Sequence, residues 1–364
     1  YYRSISQFNI NSALEYNQTI LGLTRPSQMF EKPTIPDELI AACLRTEYNL
    51  PAASIDFLPL GADQNTAVYR VATPAQSYFL KLRRGLFDEI AVALPKYLFD
   101  QGITQIIPPL PTVSGSLWGS LQGYKTILAP FVIGHNGYEV RLSDHHWLAL
   151  GQALKRIHTA PVPPSYAAQI PRETYSPCCR ETVKTFLQQI EVDQFTDPVA
   201  AQTAALLQAN RPVIEMLLLR AETLALKLSA CPAECVICHA DLHAGNFLVG
   251  SDDSLYLVDW DTLILAPKEH DLMFIGAGLL GDWYTPAEES ERFYPAYGPT
   301  RLNQVALAYY RYERILQDIA AFCEQLLLTA AGGEDREQSL YYLESNFKPN
   351  ATIAIACQAD QLLW

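Results

Sequence analysis

The chain has no apolar run long enough to cross a membrane, although 49% of its 364 residues are hydrophobic. Residues 1–20 also lack the basic start and apolar centre of a secretion signal. Internal repeats and low-complexity segments are absent from the sequence as well. These absences predict a soluble, cytoplasmic, globular protein with a sizeable core.

Basic residues are scarce. The 26 lysines and arginines are outnumbered by 39 aspartates and glutamates, which gives a formal net charge of −13. Because a nucleic-acid partner needs a basic surface, this balance argues against one. An acidic cleft would attract a small cationic molecule, although an acidic composition also serves solubility.

The eight cysteines form no clear disulfide framework. Cys235, Cys238 and His239 match a haem-attachment pattern, and Cys231 adds a spacing like that of some iron–sulfur sites. Haem attachment of this kind goes with export, for which the sequence shows no signal. We therefore interpret residues 235–238 as a short buried strand in which the cysteines act as small apolar side chains.

Residues 239–261, HADLHAGNFLVGSDDSLYLVDWD, carry most of the chemistry in the sequence. Two β-type segments joined by the turn 251–254 predict a hairpin that brings Asn246 close to Asp259. Phosphoryl transfer needs a carboxylate for the attacking hydroxyl and oxygen ligands for magnesium. Asp241 is thus the candidate catalytic residue, and Asn246 and Asp259 are candidate Mg²⁺ ligands. Alternatively, aspartates beside Gly and Asn serve only in turns.

The order of elements predicts an α+β, two-lobed fold with a small β-rich lobe and a larger, mainly helical lobe. In the small lobe, residues 34–132, we expect helices over 36–48 and 88–100 and strands near 55–60, 66–71, 78–82 and 121–128. The glycine-containing loop 134–137 is the expected hinge. Residues 133–364 would form the second lobe, and residues 1–33 a poorly ordered extension.

Lys81 ends the third predicted strand and could reach the α- and β-phosphates of ATP. Glu89, near the start of the next helix, is the candidate carboxylate that would hold this ammonium group. The first turn, residues 61–65, contains only Gly61, so Asn65, Thr66 and backbone N–H groups would cover the phosphates. A solvated lysine and a helix-start glutamate are the structural alternatives.

These features together resemble the aminoglycoside phosphotransferase and choline kinase superfamily, which is related to the protein kinases. Within it, the chain is most similar to the branch of spectinomycin phosphotransferases. The resemblance covers residues 55–325 and is carried by LPLGADQNTAVYRV, SYFLKLRRGLFDEI, LGQALKRIH, CHADLHAGNFLVG, LVDWDTLILAPKEHDLMFIGAG and YYRYERILQDIA.

The resemblance implies an ATP- and Mg²⁺-dependent O-phosphotransferase with a protein-kinase-like fold. It assigns Asp241 as the base or hydroxyl-orienting group, and Lys81 as the phosphate clamp. The supporting and adenine-binding positions that it implies are His239, Asp271, Ala129, Phe131 and Val132. The short Lys81–Glu89 separation and the glycine-poor first turn depart from the pattern of the wider kinase group.

The acceptor implied by the resemblance is a cationic aminocyclitol or aminoglycoside such as spectinomycin. Asp282 and Glu313 are the candidate substrate residues, although the aromatic periodicity around them equally suits a helical core. A choline-kinase-like metabolic kinase of an amino alcohol or sugar is one alternative, and a catalytically silent kinase-scaffold binding protein is another. The sequence leaves open whether the protein is a monomer or a dimer.

Overall fold

The computed structural model describes residues 32–59, 65–231, 233–329 and 333–361. The expected extension, as far as residue 31, and residues 60–64, which include most of the predicted turn 61–65, lie outside the described residues. None of the helices within these ranges is long and apolar enough to span a bilayer.

The small lobe is built on an antiparallel sheet with the strand order β1-β2-β3-β5-β4 in the described part of the chain. Its elements are α1 (Asp37–Tyr48), β1 (Ser54–Leu58), β2 (Thr66–Ala72), β3 (Ser77–Arg84), β4 (Gly119–Leu121) and β5 (Tyr124–Pro130). Alternate residues of β2 and β3, including Tyr69, Val71, Leu80 and Leu82, pack against α1 in one apolar cluster. The period of two leaves Lys81 and Arg83 together on the other face of β3.

The single strand expected over residues 121–128 is a hairpin of β4 and β5. Gln122 and Gly123 form its two-residue turn with φ of 47° and 81°. Two successive positive φ angles are the geometry of the tight turn that matches the twist of paired strands. The Gln-Gly pair is a weaker turn signal than Asn-Gly, which explains why the sequence alone reads as one strand.

The large lobe is mainly helical, as predicted. Helix α2 (Ile90–Asp100) links it to the small lobe, and Ser143 caps α3 by accepting the N–H of His146. The other elements are β6 (Gly134–Asn136), α3 (Asp144–Thr159), α4 (Pro164–Ala167), α5 (Cys178–Val192), α6 (Pro198–Ala209), α7 (Arg211–Ala230), β7 (Val236–Cys238), β8 (Phe247–Gly250), β9 (Leu255–Leu257), β10 (Ile264–Ala266), α8 (Glu269–Leu272), α9 (Pro286–Tyr297), α10 (Gln304–Leu328), α11 (Gly333–Ser345) and α12 (Thr352–Gln361).

Two connections between the lobes differ from the sequence expectation. Residues 134–136, expected as a hinge loop, form the strand β6, which pairs with β8. Helix α2 contributes Ile90, Leu94 and Leu98 to the core of the large lobe rather than to that of the small one. The α+β class is confirmed, while the exact domain boundary stays a prediction.

Candidate active site

The loop between β7 and β8 carries Asp241 and Asn246 and is held in place by the buried His239. The His239 Nδ1 accepts the N–H of Asp241 at 3.3 Å, so its Nε2 carries the proton and donates to the Val258 carbonyl at 2.9 Å. Ala240 adopts a left-handed φ of 71°, which turns the chain sharply before Asp241. His239 thus ties the start of this loop to the end of β9, next to Asp259.

Asp271 lies fully buried beneath the same loop. Its Oδ2 accepts the N–H of His239 at 3.0 Å, and its Oδ1 accepts the N–H of Ala240 at 2.8 Å. His158 Nε2 lies 3.0 Å from Asp271 Oδ2, and His158 Nδ1 lies 2.8 Å from the hydroxyl of Tyr297. Although burial alone would raise the pKa of Asp271, these hydrogen bonds and neighbouring histidines lower it.

Cys238 and His239 are both engaged inside the fold, which contradicts the haem-attachment alternative. The buried Cys238 thiol faces the carbonyls of Ala266 and Pro267 at 3.6 Å, and burial raises its pKa. Cys238, His158 and Asp271 could bring three ligand atoms within 4.8 Å of one another. Because their polar atoms already pair within the core, this cluster is interpreted as a structural brace.

Asp241 is buried, and both of its carboxylate oxygens have partners. Arg314 Nη1 donates to Oδ1 at 2.6 Å, Asn246 Nδ2 donates to Oδ2 at 3.1 Å, and His243 Nε2 lies 3.4 Å from Oδ2. Burial alone would raise the pKa of Asp241, but the adjacent His243 and Arg314 hold it well below its usual range. Arg314 Nε in turn lies 3.1 Å from Oδ1 of Asp318, one helical turn further along α10.

Arg314 is the main site residue that sequence reasoning missed. It lies in the middle of α10, whose neighbouring tyrosines and leucines predict a packed core helix. A usable signal was present, because Arg314 and Asp318 have the i, i+4 spacing of an ion pair on an otherwise apolar helix face. Their contact with Asp241, 73 residues earlier in the chain, depends on tertiary packing.

The predicted hairpin places Asn246 near Asp259. Strands β8 and β9 pair with Phe247 opposite Leu257, and the N–H of Val258 donates to the Asn246 carbonyl at 3.0 Å. Asn246 Nδ2 also donates to the Asp241 carbonyl at 2.7 Å, so its Oδ1 is the atom suited to a cation. Asp259 is exposed and has a left-handed φ of 62°. Amide and carboxylate oxygens are ligands that suit Mg²⁺.

Lys81 reaches from β3 of the small lobe to Asp261 of the large lobe, across the cleft between the two lobes. Its Nζ lies 2.8 Å from Asp261 Oδ2, and Arg83 Nη1 binds the same oxygen. Desolvation in the cleft lowers the pKa of Lys81, but Asp261 and Asp259 outweigh it and raise that pKa overall. The side chains of Lys81 and Asp261 keep 20% and 35% of their surface exposed, so a ligand entering the cleft can reach them.

The predicted Lys81–Glu89 ion pair is wrong. Glu89 is exposed just before α2, and within the described residues it makes no ion pair with Lys81. Helix α2 is anchored in the core of the large lobe, whereas Lys81 extends toward Asp261. The carboxylate that holds the strand lysine therefore comes from the segment after β9.

The predicted adenine-binding segment runs along the end of β5. Ala129 is paired with Phe79 of β3, and the N–H of Phe131 donates to the Ser77 carbonyl at 3.2 Å. The Phe131 N–H is therefore not available to hydrogen-bond adenine. The prediction of adenine binding then applies to the other backbone groups between Ala129 and Val132.

Asn65 and Thr66 stand at the start of β2, opposite the end of β3. Thr66 is in register with Arg83, and the Asn65 carbonyl accepts the N–H of Arg84 at 2.8 Å. Since the preceding residues 60–64 lie outside the described part of the chain, their path over the cleft stays a prediction. The two described residues border the end of β3 that lies beyond Lys81.

Of the two candidate substrate residues, Glu313 is buried away from the site. It forms an ion pair with Arg180, which also contacts the Tyr309 hydroxyl, and burial raises the pKa of Glu313 to about 7. Its assignment to the substrate is wrong. It belongs to the helical core because residue 313 faces α5, about 100° around α10 from Arg314.

Asp282 is exposed on the loop that follows α8. This loop borders the one that carries Asp241, because the N–H of Ala244 donates to the Leu279 carbonyl at 3.2 Å. Next to it, Trp283 Nε1 donates to the Gly137 carbonyl at 3.0 Å and fixes the loop. Asp282 stays a candidate for contact with an acceptor.

Comparison with known proteins identifies the family. Residues 56–313 match the model of the phosphotransferase enzyme family. The chain belongs to this family. It is therefore an O-phosphotransferase of the kinase type, and the resemblance seen in the sequence is confirmed. No curated protein matches the chain significantly.

Solved structures agree with this assignment. Spectinomycin phosphotransferase in complex with ADP and spectinomycin is 37% identical, with a TM-score of 0.84 over 91% of this chain and 100% of that one. An AMP-bound complex of spectinomycin phosphotransferase is 36% identical, with a TM-score of 0.79 over 88% and 98%. An aminoglycoside phosphotransferase from Alicyclobacillus acidocaldarius shares the fold at 14% identity and a TM-score of 0.58, over 93% and 99%. These matches confirm the kinase-like, two-lobed architecture.

Proposed function

We propose that the protein transfers the γ-phosphoryl group of ATP, with Mg²⁺, to a hydroxyl of a small cationic aminocyclitol such as spectinomycin. The observation that carries this proposal is the convergence of Asp241, Asn246 and Asp259 on the cleft, opposite Lys81. The similarity to a spectinomycin phosphotransferase that binds ADP and spectinomycin supports the choice of acceptor.

On the nucleotide side, Lys81 is the proposed phosphate clamp. Asp261 holds its ammonium group in the cleft and keeps it charged. The backbone between Ala129 and Val132 would bind adenine at the other end of β3. Lys81 can therefore orient the phosphates before the reaction, which is the main catalytic requirement of phosphoryl transfer.

The oxygen atoms of Asn246 and Asp259 suit a magnesium ion. Asn246 Nδ2 is committed to Asp241, which leaves Oδ1 for the cation, and the Asp259 carboxylate lies exposed in the cleft. Both are hard oxygen donors of the kind that Mg²⁺ prefers. When bound, the ion would neutralise negative charge on the phosphates.

On the acceptor side, Asp241 would orient the attacking hydroxyl and accept its proton late in the transfer. Its low pKa keeps it ionised, so it can accept a hydrogen bond from the hydroxyl at neutral pH. Arg314 and Asn246 fix the carboxylate from two sides. We therefore assign Arg314 as a positioning residue for Asp241.

The charge beside Asp241 favours a cationic acceptor. Arg314 offsets only part of the negative charge of Asp241 and Asp318, and His243 offsets a further part when it is protonated. With a neutral His243 the cluster carries an excess of one negative charge, which would attract an ammonium group of the acceptor. Asp318, with 18% of its side chain exposed, and the exposed Asp282 are the proposed contacts.

A choline-kinase-like metabolic role is the alternative within the class. The choline kinase of Streptococcus pneumoniae shares the fold at 17% identity and a TM-score of 0.52, over 84% of this chain and 96% of that one. That similarity extends to architecture alone, whereas the 37% identity to the spectinomycin enzyme covers 91% of this chain. We therefore propose an aminocyclitol such as spectinomycin, rather than choline, as the acceptor.

An acceptor panel tests the proposal. ADP release by the purified protein with ATP and Mg²⁺ is measured with spectinomycin, an aminoglycoside, choline, ethanolamine and a simple sugar, and Asp241→Asn serves as the inactive control. We expect rapid turnover with spectinomycin, and none above background without an acceptor. Rapid phosphorylation of choline or a sugar together with silence toward spectinomycin would overturn the acceptor assignment.

A further inference from the structure

We propose that Arg83 is a second polyphosphate-binding cation, which acts beyond Lys81 on the outer phosphates of the nucleotide. The inference rests on the proposed role of Lys81 as the phosphate clamp. Arg83 belongs to no recognisable sequence motif, and its contact with Asp261 is the observation that points to this role.

The geometry of β3 places both cations on one face of the small-lobe sheet. Lys81 and Arg83 are two residues apart in a regular strand, opposite Val68 and Thr66 of β2. Both bind the same Oδ2 atom of Asp261, so their charged groups converge on one point of the cleft. Arg83 Nε also donates to the Leu86 carbonyl at 3.3 Å, which fixes the guanidinium group from the small-lobe side.

The direction of the strand orders the two cations along the nucleotide. The first residue of β3, Ser77, accepts the N–H of Phe131 in the proposed adenine-binding segment. A strand rises by about 3.3 Å per residue, so the Cα atom of Arg83 lies roughly 7 Å further from the adenine end than the Cα atom of Lys81. Because both side chains reach Asp261 Oδ2, their charged groups are closer together than these backbone positions. Arg83 would therefore approach the phosphates from the side beyond Lys81, where the β- and γ-phosphates would lie.

The negative charge of the cleft explains why a second cation, Arg83, would help to bind a nucleotide. Asp241, Asp259 and Asp261 place three carboxyl groups in this region, and Asp261 is in contact with both Lys81 and Arg83. A strongly anionic nucleotide entering this cleft needs further positive charge. Arginine suits the task because it carries five N–H donors in a rigid plane, so one guanidinium group can bind Asp261 and a phosphate together.

The decisive experiment compares AMP with ADP. Their binding to the full chain is measured by calorimetry in EDTA, so that bound metal does not contribute, for the parent protein and for Arg83→Ala. We expect ADP to bind about tenfold or more weakly to the variant, in line with the loss of a charge-assisted hydrogen bond, and AMP to change by less than about threefold. An equal loss for both nucleotides, or no loss, would overturn the proposal.

Arg84→Ala is the matched control. Arg84 follows directly in β3, lies exposed on the other face, and its guanidinium carbon lies 5.9 Å from the ring centre of Tyr124. We expect this variant to bind both nucleotides like the parent. A loss of ADP binding equal to that of Arg83→Ala would show that any nearby positive charge suffices, and would contradict a specific contact.

A double variant separates phosphate binding from support of Asp261. If Arg83 binds phosphate, Arg83→Ala weakens ADP binding in an Asp261→Asn background as well. If Arg83 only holds Asp261, the effect disappears in that background and the proposal fails. Lys81→Ala separates the two claims, because normal ADP binding by that variant would remove the proposed phosphate clamp itself.

Discussion

Two arginine–carboxylate clusters lie on the two sides of the cleft, and their surroundings differ sharply. The open cluster, formed by Arg83, Lys81 and Asp261, joins the two lobes, and its side chains keep 20–35% of their surface exposed. The buried cluster, formed by Arg314, Asp241 and Asp318, lies within the large lobe, where the Arg314 and Asp241 side chains are only 9% and 6% exposed. The charged groups of the open cluster can exchange one another for a ligand, whereas those of the buried cluster hold one another in a fixed arrangement.

The difference follows from where each charge is anchored. The ions of the open cluster belong to two lobes and contact water, so separating them costs little. The ions of the buried cluster are carried by α10 and by a loop that His239 and Asp271 hold from below. Leaving one of them without its partner would strand an uncompensated charge. We therefore expect the open cluster to govern nucleotide affinity and the buried one to govern stability and the rate of transfer.

The largest effect is expected for Asp241→Asn. The substitution keeps the size of the side chain but removes the charge that orients the hydroxyl and accepts its proton. We expect kcat for spectinomycin phosphorylation to fall by about 10²–10⁴, while ADP binding stays within about twofold of the parent. Steady-state kinetics with a coupled ADP assay checks this expectation, and an unchanged kcat would remove Asp241 from the reaction.

The buried cluster also predicts a large loss of stability. Arg314→Met removes the partner of Asp241 and Asp318 and should lower the free energy of unfolding by about 3–5 kcal/mol. Arg83→Met, the same substitution in the open cluster, should cost less than about 1 kcal/mol. Urea denaturation of both variants measures the contrast. Equal losses would show that the two clusters do not differ in the way described.

A smaller effect is expected for Lys81→Met. Without the ammonium group, ADP should bind roughly tenfold to a hundredfold more weakly, as expected when a hydrogen bond to a charged group is lost. Calorimetric titration gives the dissociation constant. ADP binding equal to that of the parent would place the phosphates elsewhere in the cleft.

The smallest effect is expected for Glu89→Gln. Because Glu89 is exposed and does not pair with Lys81, ADP affinity and kcat should both stay within about twofold of the parent. The same titration and coupled assay apply. A loss comparable with that of Lys81→Met would mean that the lysine exchanges Asp261 for Glu89 when nucleotide binds.

Local patterns were enough to predict the hairpin and the loop before it. The turn residues 251–254 and the alternating segments on either side specify β8 and β9, and these fix the neighbourhood of Asn246 and Asp259. The capped helix α3 and the position of Lys81 in β3 follow from similar short-range signals. Chemistry that is encoded within some 20 residues was therefore accessible from the sequence.

Pairings between distant residues were not accessible in this way. Whether Lys81 meets Glu89 or Asp261 depends on how α2 packs, and its apolar face is claimed by the large lobe. Whether Glu313 or Arg314 faces the site depends on the rotation of α10, since adjacent residues on a helix differ by about 100°. Both outcomes are decided by tertiary packing, for which a single sequence carries no direct signal.

The most direct test of these separate roles measures the same two quantities on Arg83→Lys and Arg314→Lys. Both substitutions keep the positive charge but remove the planar guanidinium group. The ADP dissociation constant and the kcat for spectinomycin are determined for both. We predict that Arg83→Lys weakens ADP binding more than it lowers kcat, and that Arg314→Lys lowers kcat by about tenfold with little change in ADP binding. Parallel changes in both quantities for both variants would contradict the account.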